Sequence, residues 1–503
     1  MRTKNSFNNL VISISLSIVT MLLGLIAQKV FIHVLGTEYL GLNSLFSSLI
    51  SILALLELGI GTSVYYHLYK PLAEGNTSKI KSILKFYKKS YRIISAIVFL
   101  VGLAVIPFLG LVVGKTNIKD NIDLIYILFL IKVLCDYILT YKRSILYADQ
   151  KNSIISLVHI GYFITTNVAQ IILLLLTRNY YLYLLIAIAV QLIESLVLIT
   201  IANRKYPYIK EIDIEPIDDF TRKDIFIKVK ASAYHKVGEF IVIGTDNIII
   251  SVFLGIAIVG KYSNYALVVA GIVMLIGQAF SVITASIGNL LVAKNVNKSF
   301  EVYKKLRLAN FWLSTFAATS FLVIMNSFVD IWVGSKYILG IGVLLAVTIN
   351  LYSTLMRSSI GNFKNAAAIY HEDRHVPIIE SIVNIVLAII FVHFLGLAGV
   401  ILATIISTLL LHLYSYPKFV YRRLFQRSYS EYYNEFIKYL VLAIIIASIT
   451  FGISRLITID NKYLLFITNV FICLLVPNII LFAIYRKNND FQYFINLGKK
   501  IIR

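Results

Sequence analysis

Three charged residues interrupt one oily run. Lys132, Asp136 and Arg143 lie four and seven residues apart within 123–146, spacings that put all three on one face of a helix. A second run, 231–254, repeats that spacing with His235, Glu239 and Asp246, and carries Lys236 beside them. Lys29 and His33 stand four apart near the end of the first run. Ionisable groups at such depth are costly unless they face a cavity or a partner. Two chemistries are open. In one, Lys29, Lys132, Arg143 and Lys236 line a wet cavity that holds an anion, and Asp136, Glu239 and Asp246 take a coupling cation. In the other, Lys132–Asp136 and Lys236–Glu239 are internal ion pairs that fix helix packing. Glu57, Glu194, Asp330 and Arg357 lie nearer the run ends, where a charge can reach out of the apolar layer.

The chain that positions these groups has 503 residues, 59% of them hydrophobic and 14% charged. Its mean hydropathy of +0.82 puts it among all-α, multi-pass membrane proteins. The first run reads as a retained helix, with no small-residue cleavage site after it. Apolar stretches between 10–33 and 463–485 make about fourteen spans of a ~30 Å hydrocarbon core. The net charge of +22 falls mainly in one alternate set of connections. Most Lys and Arg lie in stretches such as KPLAEGNTSKIKSILKFYKKSYR and KRSILYADQK, which assigns that set and both termini to the cytoplasm. Nucleic acid is not needed to explain the charge. Cys135 and Cys473 both fall in apolar runs, so no disulfide framework is implied.

Two connections on the other side share a frame. LGTEYLG (35–41) and LGIAIVG (254–260) place Gly36 and Gly41 onto Gly255 and Gly260 at one constant offset. LGLAG (395–399) aligns with the turn near 177 at nearly the same offset. The chain therefore reads as two parallel six-helix repeats, 1–203 and 231–420. A cytoplasmic linker at 204–230 joins them, and 421–503 adds two helices and a tail. Parallel repeats around a midplane site are a transporter plan. HEDRH (371–375) formally matches a zinc-protease pattern, but Pro377 disfavours a helix there and no third ligand follows, so no metal is expected. ELGIG lacks the Lys-Ser/Thr of a phosphate loop and reads as a helix break or close-packing point.

VFIHVLGTEYLGLNSLF, LYKPLAEG, YKRSILYADQK, GTDNIIIS, YSNY, TASIGN, FVDIWVG and EDRHVPIIESIVN with LGLAGVILATIIS, in this order, run through most of the chain. Together they resemble the bacterial lipid-linked oligosaccharide flippases, the polysaccharide transporters of the multidrug and toxin extruder-like superfamily. The resemblance implies two rocking lobes, a central cavity opening alternately to each side, and a polyprenyl-pyrophosphate-linked oligosaccharide as cargo for capsule, exopolysaccharide or a related polymer. The chain departs in having Gln28 then Lys29 where the family has a basic residue, and Ala367 and Ala403 where glycine is common.

Such a cargo sets the roles. A pyrophosphate needs cations in a confined wet site. A sugar needs aromatic faces and amides, which Tyr262, Asn264 and Tyr265 could supply alongside Gln278 and Asn289. Tyr262 and Tyr265 read equally as membrane-interface tyrosines. The expected protein is a bacterial cytoplasmic-membrane flippase rather than an enzyme, without a cofactor. Its expected partners are the lipid-linked saccharide, membrane lipids, H+ or Na+ as the coupling cation, and polysaccharide polymerase machinery. A cation-coupled multidrug exporter of the same architecture is the alternative. A membrane glycosyltransferase or polymerase is weaker, because no connection on the outer side is long enough for a catalytic domain.

Overall fold

The computed structural model describes the backbone of residues 2–502 except 58, 211–215, 294, 370 and 371. Side chains at 2–14, 62, 138, 228, 230–243, 282, 285, 497, 498 and 500–502 are also outside the description. Among the described residues all regular structure is helical, and eleven helices are long and apolar enough to cross a membrane. The chain is an all-α multi-pass membrane protein. In order the helices are α1 (Arg2–Val34), α2 (Thr37–Leu53), α3 (Ile60–Ala73), α4 (Thr77–Val105), α5 (Leu109–Val113), α6 (Ile122–Ala148), α7 (Asn152–Thr177) and α8 (Tyr180–Lys205). Then come α9 (Asp219–Leu254), α10 (Ile256–Val292), α11 (Val296–Trp332), α12 (Ile341–Ala366), α13 (Val376–Leu410), α14 (Tyr429–Leu456), α15 (Lys462–Tyr485) and α16 (Asn489–Ile502). Both cysteines are free thiols.

The chain forms two compact units. One comprises Leu22–Gly260 with Pro377–Ile385; the other comprises Met1–Met21, Lys261–Val376 and Val386–Arg503. In the first unit α6 packs on α4 and α8, α8 on α7, and α2 on α9. In the second, α11 is the spine, flanked by α12, α14, α15 and α16.

The repeated glycine frames meet inside the first unit. Gly36 and Gly255 have φ of +91° and +90°, a region open essentially to glycine alone. Each therefore turns the chain sharply into the next helix. The second glycine of each frame has a different task. A Cβ on Gly41 would lie 2.1 Å from the Ile256 carbonyl oxygen, and one on Gly260 would lie 2.1 Å from that of Thr37. Ile256 and Thr37 hold equivalent places, directly after the turning glycines. The two turns are thus locked together reciprocally, backbone against backbone.

Several connections prove shorter than hydropathy alone predicts. The basic stretch at 70–92 is largely helix, broken only between α3 and α4. Asn76 caps α4 by accepting from the Lys79 amide at 2.9 Å. Asn295 caps α11 in the same way, so the basic segment before 311 extends that helix. The 204–230 linker contracts because α8 reaches Lys205 and α9 starts at Asp219 under an Asp218 cap. Hydrogen bonds from the Thr221 amide and hydroxyl to Asp218 hold its carboxyl below the usual range, with Lys79 3.6 Å away. Hydropathy marks only the part of a helix that lipid covers, whereas side-chain caps of this kind set where it starts.

Three further differences have local causes. The run 41–66 is broken: a 3-10 turn at Ala54–Glu57 and a left-handed Gly59 separate α2 from α3. ELGIG is also a close-packing point, because a Cβ on Gly61 would lie 3.1 Å from the Glu57 carboxylate. Pro377 does not end a helix but sits in the first turn of α13, where its missing N–H is no loss. Gly396, at φ +56°, breaks α13, and a Cβ on Gly399 would fall 2.2 Å from the Phe391 carbonyl. An unbroken helix would set residues 391 and 399 about 12 Å apart, so LGLAG is a reversal.

Candidate functional site

Helix α6 places Lys132 and Asp136 one turn apart, as their spacing requires, but the two part company. Asp136 is held by Arg143, Oδ1 to Nη1 at 3.5 Å, and Arg143 Nη2 also donates to Thr140 Oγ1 at 3.3 Å. The internal pair is therefore Asp136–Arg143, two turns apart, rather than Lys132–Asp136. The longer, planar guanidinium spans that distance while reaching a second acceptor. Lys132 makes no hydrogen bond or ion pair to any described residue.

Lys132 instead borders a cavity of about 140 Å³ inside the first unit. Asn43 and Ser47 from α2, Thr166 and Gln170 from α7, and Tyr183 from α8 share its wall. The lining is already oriented: the Asn43 carbonyl oxygen accepts from Tyr180 at 3.2 Å, and Gln170 Nε2 donates to the Tyr183 carbonyl at 3.0 Å. The result is one unneutralised ammonium among amides and hydroxyls. Such a site holds an anion or water and repels a cation. A carboxylate–imidazole contact lies between α7 and α8, where Glu194, 8% exposed, meets His159 Nδ1 at 2.9 Å.

The other expected site residues are placed differently. Lys29 and His33 are exposed on α1. Lys236, Glu239 and His235 lie on α9 outside the described side chains, and Asp246 is half-buried on the same helix. Tyr262, Asn264 and Tyr265 belong to the second unit. Asn264 and Tyr265 are fully buried there. The Tyr265 hydroxyl donates to Asn326 Oδ1 at 2.6 Å and accepts from the Leu339 amide at 2.9 Å. Both of its hydrogen-bonding roles are spent on tying α10 to α11 and to the connection that precedes α12. Within HEDRH, Glu372 pairs with Arg423 at 2.5 Å and Asp373 pairs with Lys364 and accepts from Ser415. His371 lies outside the described residues. No group of three metal-ligating side chains occurs among the described residues.

Sequence reasoning missed the most heavily invested cation of the second unit. Arg307, 4% exposed, donates to the hydroxyls of Tyr303 at 2.9 Å and Tyr421 at 3.1 Å and meets Glu435 Oε2 at 2.9 Å. Its guanidinium also faces the rings of Tyr432 and Tyr439. The signal was present as tyrosines in YRRLFQRSYSEYYNEFIK, yet Arg307 itself sat among loop lysines.

No family model matches the sequence, and no curated protein does. Solved structures match it by shape. One titled lipid II flippase MurJ, inward closed conformation, aligns at TM-score 0.67 and 18% identity over 95% of this chain and 99% of its own. An inward-facing multidrug resistance MATE family transporter of the MOP superfamily aligns at 0.55 and 15%, over 80% and 95%. The Vibrio cholerae MATE transporter VcmN in its bent form gives 0.53 and 13%, over 81% and 93%. At these identities the likeness speaks for architecture, and the chain has the fold shared by the MurJ flippase and the MATE transporters.

Proposed function

We propose that this chain is a flippase that carries a polyprenyl-pyrophosphate-linked oligosaccharide across the bacterial cytoplasmic membrane for surface-polysaccharide synthesis. One observation carries the reading: Lys132 has no partner among the described residues and borders a cavity of amides and hydroxyls, while Asp136 is paired with Arg143. A cation-coupled exporter of cations would need the opposite sign there. The likeness to a flippase over nearly the whole chain, against about four-fifths for the extruders, supports the same choice. The lobes of this reading are the sequence halves 1–203 and 231–420, except that 231–260 sits in the first compact unit with the N-terminal half. Lys29 and Lys236 share the positive field at other depths, and Asp246 and Glu239 moderate it. The multidrug exporter remains the second reading, favoured by the MATE-like fold itself.

At about 4 Å and an effective dielectric near 20, one ammonium attracts a unit negative charge by about 4 kcal/mol. Lys132→Gln keeps a hydrogen-bond donor but loses that attraction. Complementation of surface-polymer synthesis should therefore fall about tenfold or more, with membrane yield retained. Adding Asp136→Asn should not rescue it, because Asp136 serves Arg143. Arg143→Gln should instead lower yield, and Arg143→Gln with Asp136→Asn should restore it. Full polymer synthesis by Lys132→Gln would sink the reading.

Orientation is tested separately. Single cysteines at Thr37 and Asn461 should react with an impermeant thiol reagent in intact cells, after both native cysteines are replaced. Cysteines at Lys85 and Arg422 should react only after lysis. Labelling of position 85 or 422 in intact cells would invert the topology.

A further inference from the structure

The second unit contains a larger cavity than the one at Lys132, walled by α11 and by the two appended helices with the turn between them. It measures about 550 Å³ and lies between the C-terminal end of α11, the start of α12 and the turn joining α14 to α15. That volume falls within the range of about 300–1,000 Å³ typical of small-molecule sites. The topology argued above puts it on the outer face.

Its lining is chemically mixed. Asp330 is partly neutralised by Lys462 at 3.7 Å, while Asp460 and Arg455 bring one charge of each sign. Ile338 and Leu344 supply part of an aliphatic wall. Asn469, two turns into α15, is 6% exposed and lines the same space. Its side-chain carbonyl oxygen is buried with no hydrogen-bond partner among the described residues. A buried amide left open beside a cavity calls for a ligand or water to complete it.

The charge balance rules against an ionic ligand, since each carboxylate has a cation within or beside the lining. An apolar ligand would leave the buried Asn469 amide oxygen unsatisfied. A ring with hydroxyls on its edge and C–H groups on its face meets both requirements. The carboxylates and the Asn469 amide oxygen accept from its hydroxyls, the guanidinium donates to its oxygens, and the aliphatic wall covers its face.

We infer that this cavity is a binding site for a short neutral saccharide, distinct from the Lys132 cavity. The inference rests on the flippase reading for why such a sugar would be present at this face. Within that reading the site receives the sugar head once it has crossed, or a saccharide already outside.

The test uses full-length protein in nanodiscs, with chitobiose and, separately, maltose as probes and saturation-transfer NMR as the readout. Wild type should transfer signal to at least one disaccharide. Asn469→Leu, which removes the buried amide, and Asp460→Asn, on the exposed turn, should each weaken binding about fivefold, the loss of one net hydrogen bond. Lys132→Gln should bind as wild type. Asp460→Asn decides alone if Asn469→Leu does not fold. No transfer from wild type to either sugar overturns the inference, as does binding that survives the pocket substitutions. Binding lost only in Lys132→Gln also overturns it. Incorporating a polyprenyl-pyrophosphate-linked disaccharide into the bilayer then separates the sources. Competition identifies the cargo head as occupant, and an unchanged signal identifies free saccharide. Normal binding together with normal transport by Lys132→Gln would remove the flippase mechanism and leave this site standing.

Discussion

Gly41→Val and Gly260→Val should each abolish surface-polymer synthesis, whereas Gly24→Val in α1 should leave it nearly intact. The contrast is steric. A Cβ on Gly41 or Gly260 would fall 2.1 Å from a carbonyl oxygen on the opposing turn, while one on Gly24 meets nothing within 4 Å. Overpacking of this kind costs about 1–3 kcal/mol even where neighbours can shift. Here the neighbour is backbone held by a positive-φ glycine, so the turns must separate. On the proposed flippase reading, the two frames part and rejoin during the transport cycle. Two measurements distinguish this from misfolding. Membrane abundance should stay within about twofold, as expected when a substitution shifts a conformational balance, and a cysteine at Thr37 should become more reactive from outside. Wild-type activity in both valine variants would show that the close approach has no part in the cycle.

The second large effect is on stability. Arg307→Ala should lower the thermal midpoint of detergent-purified protein by more than any exposed Lys→Ala change on α11. Removing one partner of a buried pair costs about 3–5 kcal/mol, since the remaining groups stay buried without their counter-charge. The Tyr303, Tyr421 and Glu435 oxygens would all lose a donor. Arg307→Lys keeps the charge but cannot serve these acceptors in one planar fork, so it should fall between. Arg307→Met with Glu435→Leu should recover much of the loss. Equal midpoints for Arg307→Ala and wild type would mean that the tyrosine cage does not hold α11 to α14.

Much of this architecture was legible because membrane helices announce themselves. Apolar length marked the spans, and the repeated glycine frame located two matching turns. The sequence did not reveal that Gly41 and Gly260 face each other, because that contact joins residues more than two hundred positions apart. Nor did it reveal how far α4 and α11 extend beyond their apolar runs, which depends on Asn76 and Asn295 caps rather than on hydropathy. In the candidate site, spacing correctly put Lys132, Asp136 and Arg143 on one helix. It could not choose between partners four and seven residues away. Tyr265 shows the converse limit: a tyrosine chosen as a sugar platform can be spent wholly on backbone and amide neighbours. Asn469 was invisible for a related reason, since one amide in an oily run has no pattern until the fold sets it beside Asp330 and Arg455.

The length of α11 has a mechanical side. Its 37 residues make a rod about 55 Å long, so roughly 25 Å of it stands clear of a ~30 Å hydrocarbon core. A tilt of about 10° around the membrane midplane would sweep its far end through about 7 Å. The helix is a pointer as well as a wall: small changes of angle in the bilayer become large displacements among the basic residues at its N-terminal tip.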